Sequence, residues 1–382
     1  MTADLLYSES ETDLRAAVRD LLGDRSPWDK VLARTESDQS TDTELWKAVA
    51  ADLGAAGLLI PERLGGAGAS YREAASVAEE LGAAVAPVPF LGSAVIATAV
   101  LLASGEGGES GHLLRRLADG GLTAALAVPF ATAPGGPFPP ALRIAAQHPG
   151  DKAAGWSRLR GSVSGVADAL TAGTLLVPAD GVPQGLYSVD MSTARVTRTP
   201  VVSLDMTRQL CDITFDDAPA VLITSGAQAK VAVNVGLTAG AGMLAAEQLG
   251  VAQHCLDMTV AYVKERRQFA RPVGSFQAIK HRLADLWVEV TQARAASRYA
   301  ADCLAGGLSD VPVAVALAKA YCSDVAVHAA QECVQLHGGI GFTWEHPAHL
   351  YLKRAKADSL ALGTADAHRT ALAALVNLPA PG

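Results

Sequence analysis

Between residues 121 and 225 the sequence changes from a helical pattern to a series of short β-rich runs, and it becomes helical again from residue 226. The runs are TAALAVPF, LRIAAQ, SRLRGSVSGV, GTLLVPA, GLYSVD, ARVTRTPV and CDITFDDAPAVLI, with Gly, Pro and Asp between them. Short strands at this spacing are typical of a small barrel or sandwich. The sequence therefore predicts a β domain between two helical regions.

The regions on either side of these runs carry apolar residues at helical spacing. Residues 1–120 are helical in pattern, interrupted by the loop sequence GLLIPERLGGAGAS. The long helical patterns that follow are Ala227 to Phe269, Phe276 to Leu304, Val311 to Leu336 and His349 to Leu375. Long helices with short joints form an antiparallel bundle. We predict an α+β chain with an N-terminal helical domain (1–120), a middle β-barrel or sandwich domain (121–225) and a C-terminal four-helix bundle (226–382).

Charge and cysteine usage exclude several classes of protein. The chain has 382 residues and a formal charge of −8, which argues against a nucleic-acid partner. No uninterrupted apolar run reaches the length of a membrane span, and the acidic start MTADLLYSESETDLRAAV lacks the pattern of a signal peptide. Five cysteines are scattered without CxxC spacing, which indicates reduced thiols in a cytoplasmic protein and no metal site.

The stretch ERRQFARPVGSFQ, from Glu265 to Gln277, is the first candidate binding site. Arg266 and Arg267 lie at the expected end of a long helix, and Pro272 forces the chain to turn. Arginine binds a diphosphate bidentately, and a turn leaves backbone N–H groups free for the same ligand. The alternative is an exposed helix end with ordinary surface charges.

Several motifs in this order resemble those of the acyl-CoA dehydrogenase family, and the resemblance covers essentially the whole chain. GLLIPERLGGAG with EELG resembles the N-terminal helical domain of the family, and ERRQFARPVGSFQ resembles its R-x-x-F-G…FQ segment. QLHGGIGFTWEHP, from Gln335 to Pro347, resembles the family's Q-x-x-G-G-x-G-[FY] segment. KADSLALGT, from Lys356 to Thr364, resembles its terminal I-Y-E-G-T.

The resemblance implies a flavoprotein that uses FAD to convert an acyl-CoA thioester to a trans-2-enoyl-CoA and passes electrons to an electron-transferring flavoprotein. In this family a glutamate removes the α proton, and the bundle of a neighbouring subunit holds the FAD pyrophosphate. The residues that the resemblance assigns to FAD are Arg266, Gln268, Phe269, Phe276, Gln277, Gln335, Gly338, Gly339 and Thr364. The glycine pair permits a close approach of the backbone to a diphosphate, although a glycine pair also ends helices.

Both usual positions of the catalytic base lack a carboxylate. The glutamate of I-Y-E-G-T is replaced by Leu362, which cannot accept a proton. The position that some members use on the long bundle helix is Gly240. The candidate acid on that helix is Glu247, about 10 Å further along the axis. A carboxylate in so apolar a run is paired or protonated, so Glu247 is either an unusual base or a structural group paired with an arginine on a neighbouring helix.

The β region also departs from the family. The stretch LAVPFATAPGG matches the family's T-E-P-x-x-G-S-D, but Ala127 and Val128 replace Thr-Glu before Pro129. The W-I-T segment has become GSVSGVAD, from Gly161 to Asp168, without a tryptophan to stack on the flavin ring. The glycine of F-G is Ala270, which the sequence suggests is a mild change.

Three hypotheses follow from this pattern. The first is a subunit of a heteromeric α2β2 acyl-CoA dehydrogenase, which caps FAD bound by a catalytic second subunit. The second is a self-sufficient dehydrogenase with Glu247 as its base. The third is a non-catalytic binding or scaffolding homologue. The small residues from Gly236 to Ala246 leave the acyl group open, since they suit either a bulky acyl chain or close helix packing.

Overall fold

The computed structural model describes residues 5–37, 39, 41–139, 142–144, 156–193 and 195–379. The N-terminal region is helical, as predicted. Its helices are α1 (Glu9–Arg25), α2 (Trp28–Thr35), α3 (Thr43–Lys47), α4 (Tyr71–Ala83), α5 (Thr98–Ser104) and α6 (Gly108–Ala118). A π-helical stretch, Phe90–Ala97, leads directly into α5.

Within the described residues, the middle region forms one seven-stranded sheet whose strands coincide with the seven predicted β runs. They are β1 (Ala124–Leu126), β2 (Leu142–Ile144), β3 (Trp156–Ala167), β4 (Thr174–Asp180), β5 (Gly185–Asp190), β6 (Val196–Val201) and β7 (Leu210–Ser225). Strand β2 pairs with β3, β3 with β7, β7 with β5, β5 with β4, and β4 with β2. Because these pairings return to their starting strand, the sheet closes into a barrel. Its interior is filled by apolar side chains such as Leu159, Tyr187 and Phe215.

The C-terminal region is a bundle of long helices. These are α7 (Gly226–Glu265), α8 (Gln277–Gly306), α9 (Val311–His337), α10 (Ala348–Leu360) and α11 (Ala365–Leu375). The predicted fourth helix, His349 to Leu375, is wrong in one respect, because it is divided into α10 and α11. Leu362 and Gly363 have φ angles of 52° and 94°, which no helix accommodates.

The chain separates into two compact units. One contains residues 1–38, 71–86 and 241–382, and the other contains residues 39–70 and 87–240. In the first unit, α1 is attached to α8 by a buried ion pair, in which the Arg298 guanidinium lies 2.6 Å from the Glu11 carboxylate. In the second unit lie the barrel, the helices α3, α5 and α6, and the first part of α7. The domain limits at residues 120 and 225 stay a prediction.

Two helical segments among the described residues, Gly226–Glu265 and Val311–Phe342, are long and apolar enough to cross a membrane. Their most apolar windows are 72% and 67% buried, which is typical of core helices. Small residues serve close packing at two points of α7. A Cβ at Gly236 would lie 2.3 Å from Val100 Cγ2, and one at Gly242 would lie 2.7 Å from Leu304 Cδ1.

Candidate functional site

The end of α7 continues into a two-stranded hairpin that carries the first group of candidate cofactor residues. Strand β8 (Arg267–Gln268) pairs with β9 (Arg271–Pro272), and a 3₁₀ turn, Val273–Ser275, leads into α8. The Arg266 carbonyl accepts a hydrogen bond from Val273 N–H at 2.7 Å, which closes the base of the hairpin. The corner therefore presents Arg266 and Gln268 to solvent on a backbone held at both sides.

Aromatic contacts join the tip of the hairpin to the start of α8. The Phe269 and Phe276 rings lie 6.3 Å apart in an edge-to-face arrangement, and the Arg271 guanidinium lies 3.8 Å from the Phe276 ring. Phe269 itself is 87% exposed, which is unusual for a large apolar side chain in a single chain. The first residue of α8, Gln277, is exposed beside it. The structure thus brings together five of the predicted cofactor residues.

The turn of this hairpin corrects one expectation. Phe269 and Ala270 occupy its two central positions, with φ angles of 51° and 63°. A turn with both central residues at positive φ is the tight hairpin type that favours glycine. Ala270 in place of the family's glycine is therefore not a mild change, because a non-glycine residue in this conformation costs about 1–2 kcal/mol.

The second group of cofactor candidates lies at the end of α9. Gln335 is exposed on the last turn of the helix, and Gly338 follows it with a φ of 64°. A Cβ built on Gly338 or Gly339 meets no atom within 4 Å, so the backbone at both glycines faces open space. Both glycines are exposed, and a ligand can approach their main chain directly.

A contact between two tilted rings connects the two groups. Tyr262, on the last turn of α7, lies 4.3 Å from His337, the last residue of α9. Arg266 follows Tyr262 by four residues, and Gly338 follows His337 directly. Eight of the nine predicted cofactor residues therefore lie at the adjacent ends of α7, α8 and α9.

The ninth candidate, Thr364, is placed elsewhere in the same helical unit. It is the N-cap of α11, and its hydroxyl accepts a hydrogen bond from Ala367 N–H at 3.3 Å. Its neighbour Gly363 contacts Lys319, and about 24 Å of helix α9 separates Lys319 from Gln335. Thr364 therefore does not join the other eight residues in this chain.

The eight clustered residues fit one chemical type of ligand. They offer a guanidinium, three side-chain amides, the exposed main chain of two glycines and two aromatic rings. Charge-assisted donors combined with glycine N–H groups suit the oxygens of a diphosphate, and the exposed rings suit a planar or ribose group beside it. These residues fit the pyrophosphate part of FAD.

Leu362, at the first usual base position, sits in a turn that is held by buried polar side chains. Leu362 is 1% exposed and has positive φ, and its carbonyl lies 2.8 Å from His368 Nε2. Lys319 donates to the carbonyls of Asp358 (3.1 Å) and Gly363 (3.3 Å). Burial lowers the pKa of Lys319 to about 8. The turn is well ordered by these contacts, but residue 362 supplies no proton acceptor.

The second base position supplies none either, since Gly240 is a buried residue of α7. Glu247, seven residues later, is buried and faces α10. Arg354 Nε donates to Glu247 Oε1 at 2.7 Å, and Arg354 Nη2 lies 2.5 Å from the same oxygen. This is the arginine on a neighbouring helix that is expected for a structural Glu247. One oxygen of the carboxylate, Oε1, is therefore occupied by a guanidinium.

In the β-containing unit, the two stretches that match the family's flavin-ring segments lie side by side. Phe130 N–H donates to the Gly165 carbonyl at 2.9 Å, which links LAVPFATAPGG to GSVSGVAD. Ala127 N–H is used in the sheet, where it donates to the Leu176 carbonyl at 2.8 Å. Ala127 and Val128 are both buried and apolar, so they offer no side-chain hydroxyl or carboxylate.

Sequence reasoning missed four residues at these sites: Tyr262, Lys319, His337 and Arg354. Each is a polar residue within or at the end of an apolar helical pattern, and such a residue requires a buried partner. That signal identifies the residue but not its partner, because the partners lie on other helices.

Comparisons with known proteins agree with the motifs. Residues 8–121 match the family model "Acyl-CoA dehydrogenase, N-terminal domain", and residues 229–376 match "Acyl-CoA dehydrogenase, C-terminal domain". The chain is 36% identical over 356 residues to "Acyl-CoA dehydrogenase IpdE2" of Mycolicibacterium smegmatis, which covers 93% of this chain and 95% of that protein.

Two solved structures are similar over nearly the full length. "Tcur3481-Tcur3483 steroid ACAD G363A variant" superposes with a TM-score of 0.82 and 30% identity over 97% of this chain and 98% of that chain. "Crystal structure of the ChsE4-ChsE5 complex from Mycobacterium tuberculosis" superposes with a TM-score of 0.84 and 26% identity over 99% of this chain and 100% of that chain.

Proposed function

Because this chain belongs to the acyl-CoA dehydrogenase family, we propose that it is the FAD-capping subunit of a heteromeric dehydrogenase. The complex would convert an acyl-CoA thioester to its trans-2-enoyl-CoA and pass electrons to an electron-transferring flavoprotein. The second subunit would supply the catalytic base. In this proposal the chain contributes binding groups and little or no chemistry.

The observation that carries the proposal is the contrast between the two kinds of site. The eight clustered cofactor residues are retained, and all but the half-buried Phe276 are exposed in the single chain. At the two usual base positions the chain has Leu362 and Gly240, and the carboxylate of Glu247 is paired with Arg354. A surface that binds without a base of its own suits a subunit that completes a neighbour's site.

A bound FAD would supply the hydride acceptor for the β carbon of the acyl group. In this chain Arg266 would balance the charge of the diphosphate, while Gln268, Gln277 and Gln335 would fix its orientation through amide hydrogen bonds. The main chain of Gly339 would approach the same oxygens, since a Cβ built there meets no atom within 4 Å, whereas the Gly338 N–H already donates to the Gln335 carbonyl. The exposed Phe269 ring would exclude water from the edge of the site.

Two similar proteins support the assembly and the substrate class. One is a complex of two named chains, ChsE4 and ChsE5, and the other is the steroid ACAD Tcur3481-Tcur3483. We propose that the present chain likewise works with a second dehydrogenase subunit and that the acyl group carries a steroid-type ring system. A panel of straight-chain and steroid acyl-CoA thioesters tests the second point.

The decisive experiment is to express the chain alone and together with a second acyl-CoA dehydrogenase subunit of the same organism that has an intact glutamate base, and to count flavins per chain. The proposal predicts weak FAD binding by the chain alone and one FAD for each pair of unlike chains in the complex. One tightly bound FAD per chain in a homo-oligomer would support the self-sufficient dehydrogenase with Glu247 as base. A complex that binds acyl-CoA without flavin would support the scaffolding alternative.

A further inference from the structure

The ring contact between Tyr262 and His337 lies between the two halves of the candidate diphosphate site. The ring centroids are 4.3 Å apart. The Tyr262 carbonyl accepts a hydrogen bond from Arg266 N–H at 2.9 Å, so the tyrosine holds the backbone at the first half. His337 is bonded covalently to Gly338 and therefore holds the second half. The ring contact therefore links the backbone that carries Arg266 to the backbone that carries the glycine pair.

His337 is held by contacts with two neighbouring rings and by a hydrogen bond at Nδ1. It is 2% exposed, and its second face lies 4.2 Å from the His346 ring. Its Nδ1 lies 2.7 Å from the Cys333 carbonyl, which can only accept, so we assign the proton to Nδ1. This bond adds a second donor to a carbonyl in the last turn of α9, where the chain leaves the helix through Gly338, whose φ is 64°.

Packing alone does not explain a histidine at this position. Its Nε2 is buried and meets no hydrogen-bond partner within the described residues, which costs free energy that a phenylalanine ring would not. The Nδ1 bond to Cys333 is the feature that a phenylalanine would lose. The side chain therefore combines an aromatic ring that contacts Tyr262 with a hydrogen-bond donor for the last turn of α9.

The loop after the glycine pair packs closely against His337. The chain from Gly338 to Phe342 forms a 3₁₀ turn. A Cβ on Gly341 would lie 2.5 Å from the Val334 carbonyl oxygen and 3.2 Å from His337 Cβ. Because the loop folds back onto the last turn of α9, the position of its backbone depends on the position of His337.

We propose that His337 is a positioning residue for the flavin diphosphate: its ring contact with Tyr262 and its Nδ1 hydrogen bond to the Cys333 carbonyl set the distance between Arg266 and the exposed main chain of Gly338 and Gly339. The residue is buried and does not touch the ligand, so it acts through the two groups that do. This inference rests on the proposed function, since it assumes that the two groups bind one FAD.

The test uses the complex of this chain with its second subunit and a titration with FAD. His337→Ala removes both the ring contact with Tyr262 and the Nδ1 hydrogen bond to Cys333. It should weaken FAD binding about tenfold, as the loss of one charge-assisted contact would. His337→Phe keeps the ring contact with Tyr262 and should recover part of the lost affinity for FAD. Tyr262→Ala should lower the affinity for FAD about as much as His337→Ala does. The double variant should lose no more affinity than the single variant with the larger loss, because both changes break the same ring contact. His328→Ala, on the more exposed part of the same helix, is the matched control.

A second measurement separates positioning from direct contact. In flavin-free protein, hydrogen exchange of the amides from Gly339 to Phe342 should become about tenfold faster in His337→Ala and stay unchanged in His328→Ala. Weaker FAD binding with unchanged exchange would overturn the inference, since His337 would then act on the ligand itself. Faster exchange with unchanged FAD binding, or additive losses in the double variant, would also overturn it. Failure of the unsubstituted complex to bind FAD is distinct, because it would remove the proposed function together with this inference.

Discussion

The guanidinium of Arg354, on α10, lies 2.5 Å from the carboxylate of Glu247, on α7, and both groups are buried. The Asp358 carboxylate lies 3.4 Å from Arg354 Nε, one helical turn further along α10. Loss of one partner from a buried ion pair of this kind is destabilising, because the remaining group loses a close counter-charge that bulk water does not replace. The pair therefore gives Glu247 a structural role that can be measured separately from any catalytic one.

Glu247→Gln should leave the activity of the assembled complex within about tenfold, whereas loss of a general base typically costs roughly 10²–10⁴-fold. Glu247→Ala should lower the free energy of unfolding by about 3–5 kcal/mol, because it leaves Arg354 buried without this partner. Turnover assays and urea denaturation measure the two effects. Glu62→Gln, at an exposed position, is the control.

The opposite outcome for activity is equally clear. A loss of several thousandfold in Glu247→Gln, with flavin content and folding unchanged, would identify Glu247 as the base. The self-sufficient dehydrogenase would then replace the capping subunit as the better hypothesis.

Ala270→Gly should stabilise the hairpin at the end of α7 by about 1 kcal/mol, because glycine adopts the observed φ of 63° without the steric cost that alanine has. Hydrogen exchange of the hairpin amides measures this local effect. Ala284→Gly, on the exposed surface of α8, should instead destabilise its helix by about 1 kcal/mol. Equal effects at both positions would show that the turn is not strained.

The fold was predictable from sequence because its signals are periodic and local. The alternation and turn residues between 121 and 225 identified all seven strands, and the helical patterns identified the bundle. The break at Leu362 and Gly363 was missed because only one of the two residues is a glycine, and a leucine at positive φ has no sequence signature.

The candidate site was predictable only in part. Motif resemblance located Arg266 and the Gly338–Gly339 pair, but spacing along the chain could not show that their helix ends meet. That proximity depends on the contact of Tyr262 with His337, which are 75 residues apart (337 − 262). Tertiary contacts of this kind have no periodic signal, so the structure was needed to find them.

Acidification should destabilise the chain between pH 6.5 and pH 4. Burial lowers the pKa values of three histidines: His254, His349 and His368. For His346, burial and the nearby His337 together lower the pKa to about 4. Unfolded histidine has a pKa of about 6.5, so the unfolded state binds more protons in this window and the free energy of unfolding falls as the pH falls. For His337, burial lowers the pKa, but hydrogen bonding to Cys333 outweighs it and the net shift is upward, which opposes the trend.

Urea denaturation at pH 7.5 and pH 5.0 checks this prediction. After allowance for solvent screening, His346 should contribute about 1 kcal/mol to the difference between the two pH values. In His346→Gln that difference should be smaller, because the group that titrates is gone. An unchanged difference would assign the pH dependence to other groups.

Arg266→Ala should weaken FAD binding by the complex by roughly 10- to 150-fold, since charge-assisted hydrogen bonds contribute about 1.5–3 kcal/mol each. Arg266→Lys should recover only part of this, because a point charge cannot reproduce bidentate geometry. Gln268→Ala should lower the affinity for FAD less than Arg266→Ala does, since it removes a neutral partner.

Arg267→Ala is the matched control, because it removes an adjacent exposed arginine that is not assigned to the cofactor. A flavin titration of each reconstituted variant gives the comparison. If Arg266→Ala binds FAD as tightly as the unsubstituted complex, Arg266 is a solvated helix end, and the exposed corner between α7 and α8 binds something other than the flavin diphosphate.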